Sequence, residues 1–489
     1  MAELTPDADR LSAQEVRRRA KQSVVIVGLR SVGLRLLQLV GLLVLGRLLA
    51  PADFGAVAFG LVFVGFITIA SQAGIGATLI RRPEPPSRDD LATLLGFQLG
   101  VATALAAIVA GVALGFGREG RVTALMVASL PLVALRAPGV VVLERRLDYR
   151  AIVYSDFADT LVYYGWALTT VAAGWGVWGL ASAVVPRAIA GSTVILAATR
   201  GALVRPAISP RILRGLLGFG VRLQAIDVVN LVRDQGLNVG VAAISGLSGL
   251  GAWTFAYRIM QMPYMLFTTL WRVSFPAMSR LVGAGEEMKP LIERGVALTA
   301  IATGAVVVPL AASAPPAIPA ILGERWARVA TVIPWASLGL MIGGPISVAV
   351  AGYLYAIGDA RTPLRATVAH TAAWLGVALA LLRPLGLAAI GLGWLAASLV
   401  DAVVLGRSAA RASGARVIPP LVRPTVLAVV AGGLGWVVAS RRDGLPWALA
   451  VAVAAEALFL TGVAVVCRGP GAELVRTLAR ALDRSPEPT

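Results

Sequence analysis

Arg47-Leu48-Leu49-Ala50-Pro51-Ala52-Asp53-Phe54-Gly55 interrupts an apolar sequence that otherwise runs from residue 23 to residue 80. Its proline and aspartate fall where hydrophobicity breaks, as turn chemistry requires. The stretch therefore reads as a turn between two helices, 23–49 and 54–80, each longer than the ~20 apolar residues that cross a bilayer core. Similar breaks at Pro83-Glu84-Pro85-Pro86, Gly323-Glu324-Arg325 and Arg383-Pro384 divide the rest of the chain. They delimit helices at 90–116, 121–143, 154–174, 178–199, 215–244, 250–281, 290–312, 328–357, 363–382, 386–407, 421–440 and 446–467. The expectation is an all-α integral membrane protein with about fourteen transmembrane helices.

Composition agrees: of 489 residues, 57% are hydrophobic and 14% charged, with a mean hydropathy of +0.80. No soluble fold buries that much apolar surface. The net charge of +18 is spread as arginines in short loops, with no basic domain for a duplex, which excludes nucleic acid as a partner. Counted by alternate loops, 28 of the 44 Lys and Arg fall on the side of the N-terminus and 8 on the other. By the positive-inside rule both termini belong in the cytoplasm, across a bacterial cytoplasmic membrane. The single Cys467 and single His370 allow neither an intrachain disulfide nor a His/Cys metal cluster, and both read as plain helix residues. The two lysines, Lys21 and Lys289, follow no phosphate-binding glycine loop, and Gly391-Leu392-Gly393-Trp394-Leu395-Ala396 lies inside a spanning helix, where it reads as packing. No cofactor, ATPase domain or soluble catalytic domain is expected, so the protein reads as no enzyme.

The opening turn has a second copy, Ala243-Ile244-Ser245-Gly246-Leu247-Ser248-Gly249-Leu250-Gly251, with Gly55 and Gly251 196 residues apart. Six helices, an even number, separate the copies, so the repeat is parallel and its pseudo-two-fold axis follows the membrane normal. The expected domains are a cytoplasmic segment 1–22, a six-helix bundle 23–200, a cytoplasmic linker 201–214, a second six-helix bundle 215–407, helices thirteen and fourteen in 421–467, and a cytoplasmic tail 468–489 with one short amphipathic helix. The substrate cavity is expected between the bundles.

Charges deep in a bilayer are rare and costly, so each is a functional candidate. Helix one carries Arg30 and Arg35, the latter ~18 Å into a ~30 Å core, with Gln38 on the same face. Helix seven carries Arg222 and Arg233 and a polar stripe, Asp227, Asn230, Asp234 and Asn238, stepping by three and four. Helix eight adds Arg258 and Arg272. A guanidinium in a low-dielectric cavity suits an oxyanion, above all phosphate. The competing reading makes these arginines buried ion pairs or cations reaching the inner headgroups. Asp234, Asp401 and Glu456 are candidates for a coupling proton or Na⁺, whereas Asp156 and Asp159 read as the cytoplasmic end of helix five.

Gly46-Arg47-Leu48-Leu49-Ala50-Pro51-Ala52-Asp53-Phe54-Gly55 with Ala73-Gly74-Ile75-Gly76-Ala77-Thr78-Leu79-Ile80-Arg81-Arg82 resembles the opening helix pair of the Wzx-type oligosaccharide flippases. Leu217-Gly218-Phe219-Gly220, Ala256-Tyr257-Arg258-Ile259 and Phe275-Pro276-Ala277-Met278-Ser279-Arg280-Leu281 resemble helices seven and eight of that family, and the likeness extends through Ala356-Ile357-Gly358-Asp359-Ala360-Arg361-Thr362-Pro363. The resemblance covers roughly three quarters of the chain. It implies the superfamily of multidrug, oligosaccharidyl-lipid and polysaccharide exporters, whose two bundles alternate between inward-open and outward-open states. It implies a polyprenyl-diphosphate oligosaccharide as substrate, for exopolysaccharide, capsule or O-antigen assembly, beside membrane lipids and the glycosyltransferases and polymerase of the pathway. Arg258 lies in a matching motif; Arg35 and Arg233 rest on depth alone. A lipid II flippase, an ion-coupled multidrug exporter and, in another class, a membrane-embedded glycan-processing enzyme remain open readings.

Overall fold

The computed structural model describes residues 37–467, and every regular element among them is helical. The first are α1 (Leu37–Leu48), α2 (Pro51–Gln72), α3 (Ile75–Arg81), α4 (Arg88–Ala113), α5 (Gly117–Ala134), α6 (Ala137–Arg145), α7 (Tyr149–Thr170) and α8 (Val177–Ala198). Then come α9 (Pro210–Leu223), α10 (225–245), α11 (247–283), α12 (Met288–Leu322), α13 (Glu324–Ala356), α14 (Arg361–Leu385), α15 (Ala388–Ser413), α16 (Ile418–Ala439) and α17 (Leu445–Val466).

Among the described residues ten helices are long and apolar enough to cross a bilayer, or eleven when α5 and α6, bent by 48°, form one span. The difference from fourteen has physical causes. Most of helix one lies outside the described residues. Helix α7 carries Arg150, Asp156 and Asp159, which lower its hydropathy. Helices α10 and α11 run on without a loop, parted only by Gly246 at φ 68 and ψ −178, a conformation open essentially to glycine alone. Large apolar side chains such as Val426, Val429, Leu434, Leu449 and Val453 stay exposed on α16 and α17, as a surface solvated by lipid requires.

The turns show why the sequence breaks where it does. Pro51 occupies the first turn of α2, where its missing N–H costs nothing. Asp53 accepts from Ala50 N at 3.3 Å and from Arg118 at 2.7 Å, tying that turn to the start of α5. Ser87 caps α4 by accepting from Asp90 N, while Asp90 accepts from Ser87 N. Before α14, Gly358 supplies φ 82 and Asp359 Oδ1 accepts from the backbone N of Arg361 and Thr362, each at 3.1 Å. The Thr362 hydrogen bonds hold the Asp359 carboxyl below the usual carboxylate range, so this cap is in place at neutral pH and is lost as pH falls through the lowered value.

Several boundaries differ from the sequence expectation: the expected helix 54–80 breaks at Ala73 and Gly74, both at positive φ, and the expected helix 215–244 breaks at Gln224, which puts Arg222 and Arg233 on separate helices. Helix nine is expected to end near 312, yet α12 continues to Leu322 through Pro315, Pro316 and Pro319, because packed membrane helices re-satisfy the backbone groups that proline frees. Part of the expected linker 201–214 is the start of α9, an amphipathic helix with Arg211 and Arg214 exposed and Leu216 buried.

The chain divides into two compact units, Met1–Ala242 and Ala243–Thr489, so α9 and nearly all of α10 belong with the first. The attachment of α9 and the residue after it is direct: Thr78 Oγ1 donates to Leu216 O at 3.4 Å, and Gln224 Nε2 donates to Ile69 O at 3.0 Å. Gly74, at φ 67, sits where a Cβ would strike the Gly220 carbonyl. Gly74→Ala therefore combines a left-handed backbone with a backbone clash and is expected to destabilise the protein by ~3 kcal/mol. Thermal unfolding in detergent checks this against Gly76→Ala, whose Cβ would meet its nearest neighbour at an ordinary 3.5 Å.

Candidate functional site

Arg258 lies eleven residues into α11, about 17 Å along its axis. It is half-buried and makes no hydrogen bond or ion pair among the described residues. Arg233 on α10 differs, because its Nε donates to Asp234 Oδ1 at 2.7 Å and the cation is already partly answered. Along the polar stripe of α10, Asn238 donates to Gln235 at 3.1 Å, Asn230 is half-buried and Asp227 is exposed. Gln38 is exposed on α1. Arg30 and Arg35 lie outside the described residues, as do the expected segments 1–22 and 468–489; Arg222 and Arg272 fall within α9 and α11, with side chains outside what is described. Arg233 and Arg258 belong to different units.

The acids sort differently from expectation. Asp159 is 4% exposed, ten residues into α7, and accepts from Arg136 Nη1 at 3.0 Å, with Arg187 Nε at 3.8 Å. It is a buried partner of two arginines, not a residue at a helix end. Arg136 reaches it because it stands at the α5–α6 bend, and Gly191 on α8 leaves the space: a Cβ there would collide with the Asp159 carboxylate. Beside this pair a cavity of about 270 Å³ has a mixed lining, with Ser71, Gln98, Arg136 and Asp156 beside Leu130 and Val133. Asp401 on α15 is also paired, its Oδ2 2.7 Å from Nδ1 of His370 on α14. Glu456 on α17 keeps a buried Oε2 with no hydrogen-bond partner among the described residues.

The second unit holds a larger cavity, about 450 Å³, with an almost wholly apolar lining that includes Val307, Trp335, Met341, Ala428, Gly433 and Trp436. It suits a hydrocarbon chain and offers a sugar or a diphosphate almost nothing. Among the described residues no group of three or more His, Cys, Asp or Glu could hold a metal ion.

The Arg136–Asp159 ion pair and the His370–Asp401 contact both have a signal in the sequence. In a helical hairpin, residues equidistant from the turn lie side by side. His370 stands sixteen residues before Gly386 and Asp401 fifteen after it; Arg136 stands eleven before Leu147 and Asp159 twelve after it. Gly386 and Leu147 are the positive-φ residues of those two turns, at 58° and 52°.

Residues 44–331 match a family model described as polysaccharide biosynthesis protein. The succinoglycan biosynthesis transport protein ExoT of Rhizobium meliloti (strain 1021) is 24% identical over 310 residues, 61% of this chain and 60% of that protein. The match thus spans about three fifths of that relative's length. Among solved structures, the lipid II flippase MurJ in an inward closed conformation aligns with a TM-score of 0.70 at 13% identity, covering 91% of this chain and 99% of that one. An inward-facing multidrug resistance transporter of the MATE family aligns with a TM-score of 0.55 at 17% identity, over 76% and 92%. At such identities the likeness is one of fold.

Proposed function

This chain belongs to the polysaccharide biosynthesis protein family, and on that premise we propose that it is a flippase, carrying a polyprenyl-diphosphate-linked oligosaccharide across the bacterial cytoplasmic membrane by alternating access. Both termini lie in the cytoplasm, and the pathway's glycosyltransferases and polymerase act before and after it. The observation that carries the reading is Arg258, a half-buried guanidinium deep in a spanning helix whose donors are unused among the described residues. A cation so placed calls for an anion, and a diphosphate presents oxygens that a guanidinium fork can bind in pairs. Arg233, Arg35, Arg30, Arg222 and Arg272 supplement it, with Gln38, Asp227, Asn230, Asp234 and Asn238 hydrating the sugar path. The lipid end of the substrate matches the apolar cavity of the second unit.

The test is reconstitution of the purified chain in liposomes with a fluorescent polyprenyl-diphosphate oligosaccharide, scored by accessibility to an impermeant quencher. Flipping of this lipid supports the proposal; flipping of lipid II alone, or processing of the glycan without translocation, overturns it. The apolar cavity gives a sharper version. Gly433 lines it, and a Cβ added there would meet no atom within 4 Å, so the first atom of a side chain at this position, as in Gly433→Phe, starts in open space. That variant is expected to fold normally and to slow flipping of a long polyprenyl carrier roughly tenfold, on the order of the burial of one large side chain's worth of apolar area, while sparing a short-chain analogue.

A further inference from the structure

His370 and Asp401 meet partway along two helices long and apolar enough to span a bilayer. His370 is nine residues into the 25-residue α14 and Asp401 thirteen into the 26-residue α15, about 14 and 20 Å of helical rise from the respective helix starts. Nδ1 and Oδ2 are 2.7 Å apart, and the two side chains are 18% and 15% exposed. His370 stands edge-on to Trp374, 6.1 Å between ring centroids, and Trp374 packs in turn on Trp253 and Trp394.

Ionisable neighbours are few. From α11 the ring cluster brings Tyr257, against Trp394, with Arg258 next to it in sequence; the part of α13 packed against α15, residues 333–351, carries no ionisable side chain. On the pair's own helices the nearest charges in sequence are Arg365 and Arg407, five and six residues away. None of these is hydrogen-bonded or ion-paired to His370 or Asp401 among the described residues.

We propose that His370 and Asp401 form the proton-binding site that couples transport to the proton gradient. This rests on the transport reading given above. With a neutral imidazole the pair carries one net negative charge; one proton added to the imidazole converts it to an imidazolium–carboxylate pair of net charge zero. A net charge is far costlier in a low-dielectric interior than a neutral pair, so occlusion favours the protonated form and hydration favours release. Two access states that differ in hydration of this pair therefore differ in proton affinity, and that difference is what a gradient needs to bias their populations. Imidazole is the side chain whose unperturbed charge change falls between pH 5 and 8, where such exchange is useful. The tryptophans of the shell, Trp374, Trp253 and Trp394, add no competing acid or base.

The chain's only histidine makes the site directly observable. In the full chain, carrying an affinity tag without histidine and labelled with ¹⁵N-histidine, one imidazole gives the whole signal. Its nitrogen resonances are expected to change as the pair takes up a proton, and Asp401→Asn to displace them. Resonances that stay constant as pH is varied, that match between wild type and Asp401→Asn, or that move on adding Na⁺ at fixed pH overturn the proposal. In proteoliposomes, an imposed pH gradient is expected to change the flipping rate of the polyprenyl-diphosphate oligosaccharide about tenfold in the wild type, and His370→Gln to bring the ratio of rates with and without gradient to about one. A wild type that flips with no response to the gradient, or a His370→Gln variant that keeps the full response, overturns the coupling. A wild type that flips no such lipid defeats the transport reading instead, and the resonance measurement still decides the pair.

Discussion

Arg258→Ala is expected to lower flipping of a polyprenyl-diphosphate oligosaccharide about a hundredfold while leaving the unfolding transition unchanged. Truncating one partner of a buried, hydrogen-bonded charge pair costs about 2–5 kcal/mol, and the middle of that range corresponds to two decades in binding. The unchanged stability follows from the same observation that makes the residue functional. Arg258 pairs with nothing among the described residues, so its removal orphans no acid and opens no hydrogen-bond network there. Arg258→Lys keeps the charge and loses the planar fork, and a defect near tenfold is expected. Rates in proteoliposomes measured beside melting curves separate the two effects. An Arg258→Ala protein that flips at the wild-type rate would remove the residue from the substrate path.

The contrast between this arginine and the others explains how far the sequence can be read. Spanning helices are legible because length and apolarity are local properties, and the turn motifs are legible because they are helix-start chemistry: Pro51 in a first turn, Asp53 and Asp359 bonded to backbone N–H groups. Helix ends are harder. Pro315, Pro316 and Pro319 look like a stop, yet α12 passes through them because neighbouring helices decide what proline costs. Partners of buried charges are tertiary facts. The sequence reads His370 as a plain helix residue and Asp159 as a helix end, and only the folded hairpins show that Arg136 meets Asp159 and His370 meets Asp401. Arg258 is singled out in the sequence because its motif resembles a family pattern, and the family itself stands on the match over residues 44–331.

Asp159→Ala is expected to be the most destabilising of these substitutions, by about 3–5 kcal/mol, with loss of transport following from loss of fold. Removing the carboxylate leaves the Arg136 guanidinium, 22% exposed, beside Ser155, and takes from Arg136 and Arg187 the carboxylate they share. A buried pair often adds little net stability, since desolvation offsets much of the attraction, but a single remaining charge bears the whole penalty. The double replacement Arg136→Leu with Asp159→Leu removes both charges and is expected to recover most of the loss, limited by the room that Gly191 leaves at the carboxylate. A double-mutant cycle of Arg136→Leu, Asp159→Leu and the two together, by thermal unfolding in detergent, measures this coupling. If Asp159→Ala alone melts with the wild type, the pair is no structural tie. If the single variant unfolds early and the double recovers stability without transport, the pair serves the transport cycle as well as the fold.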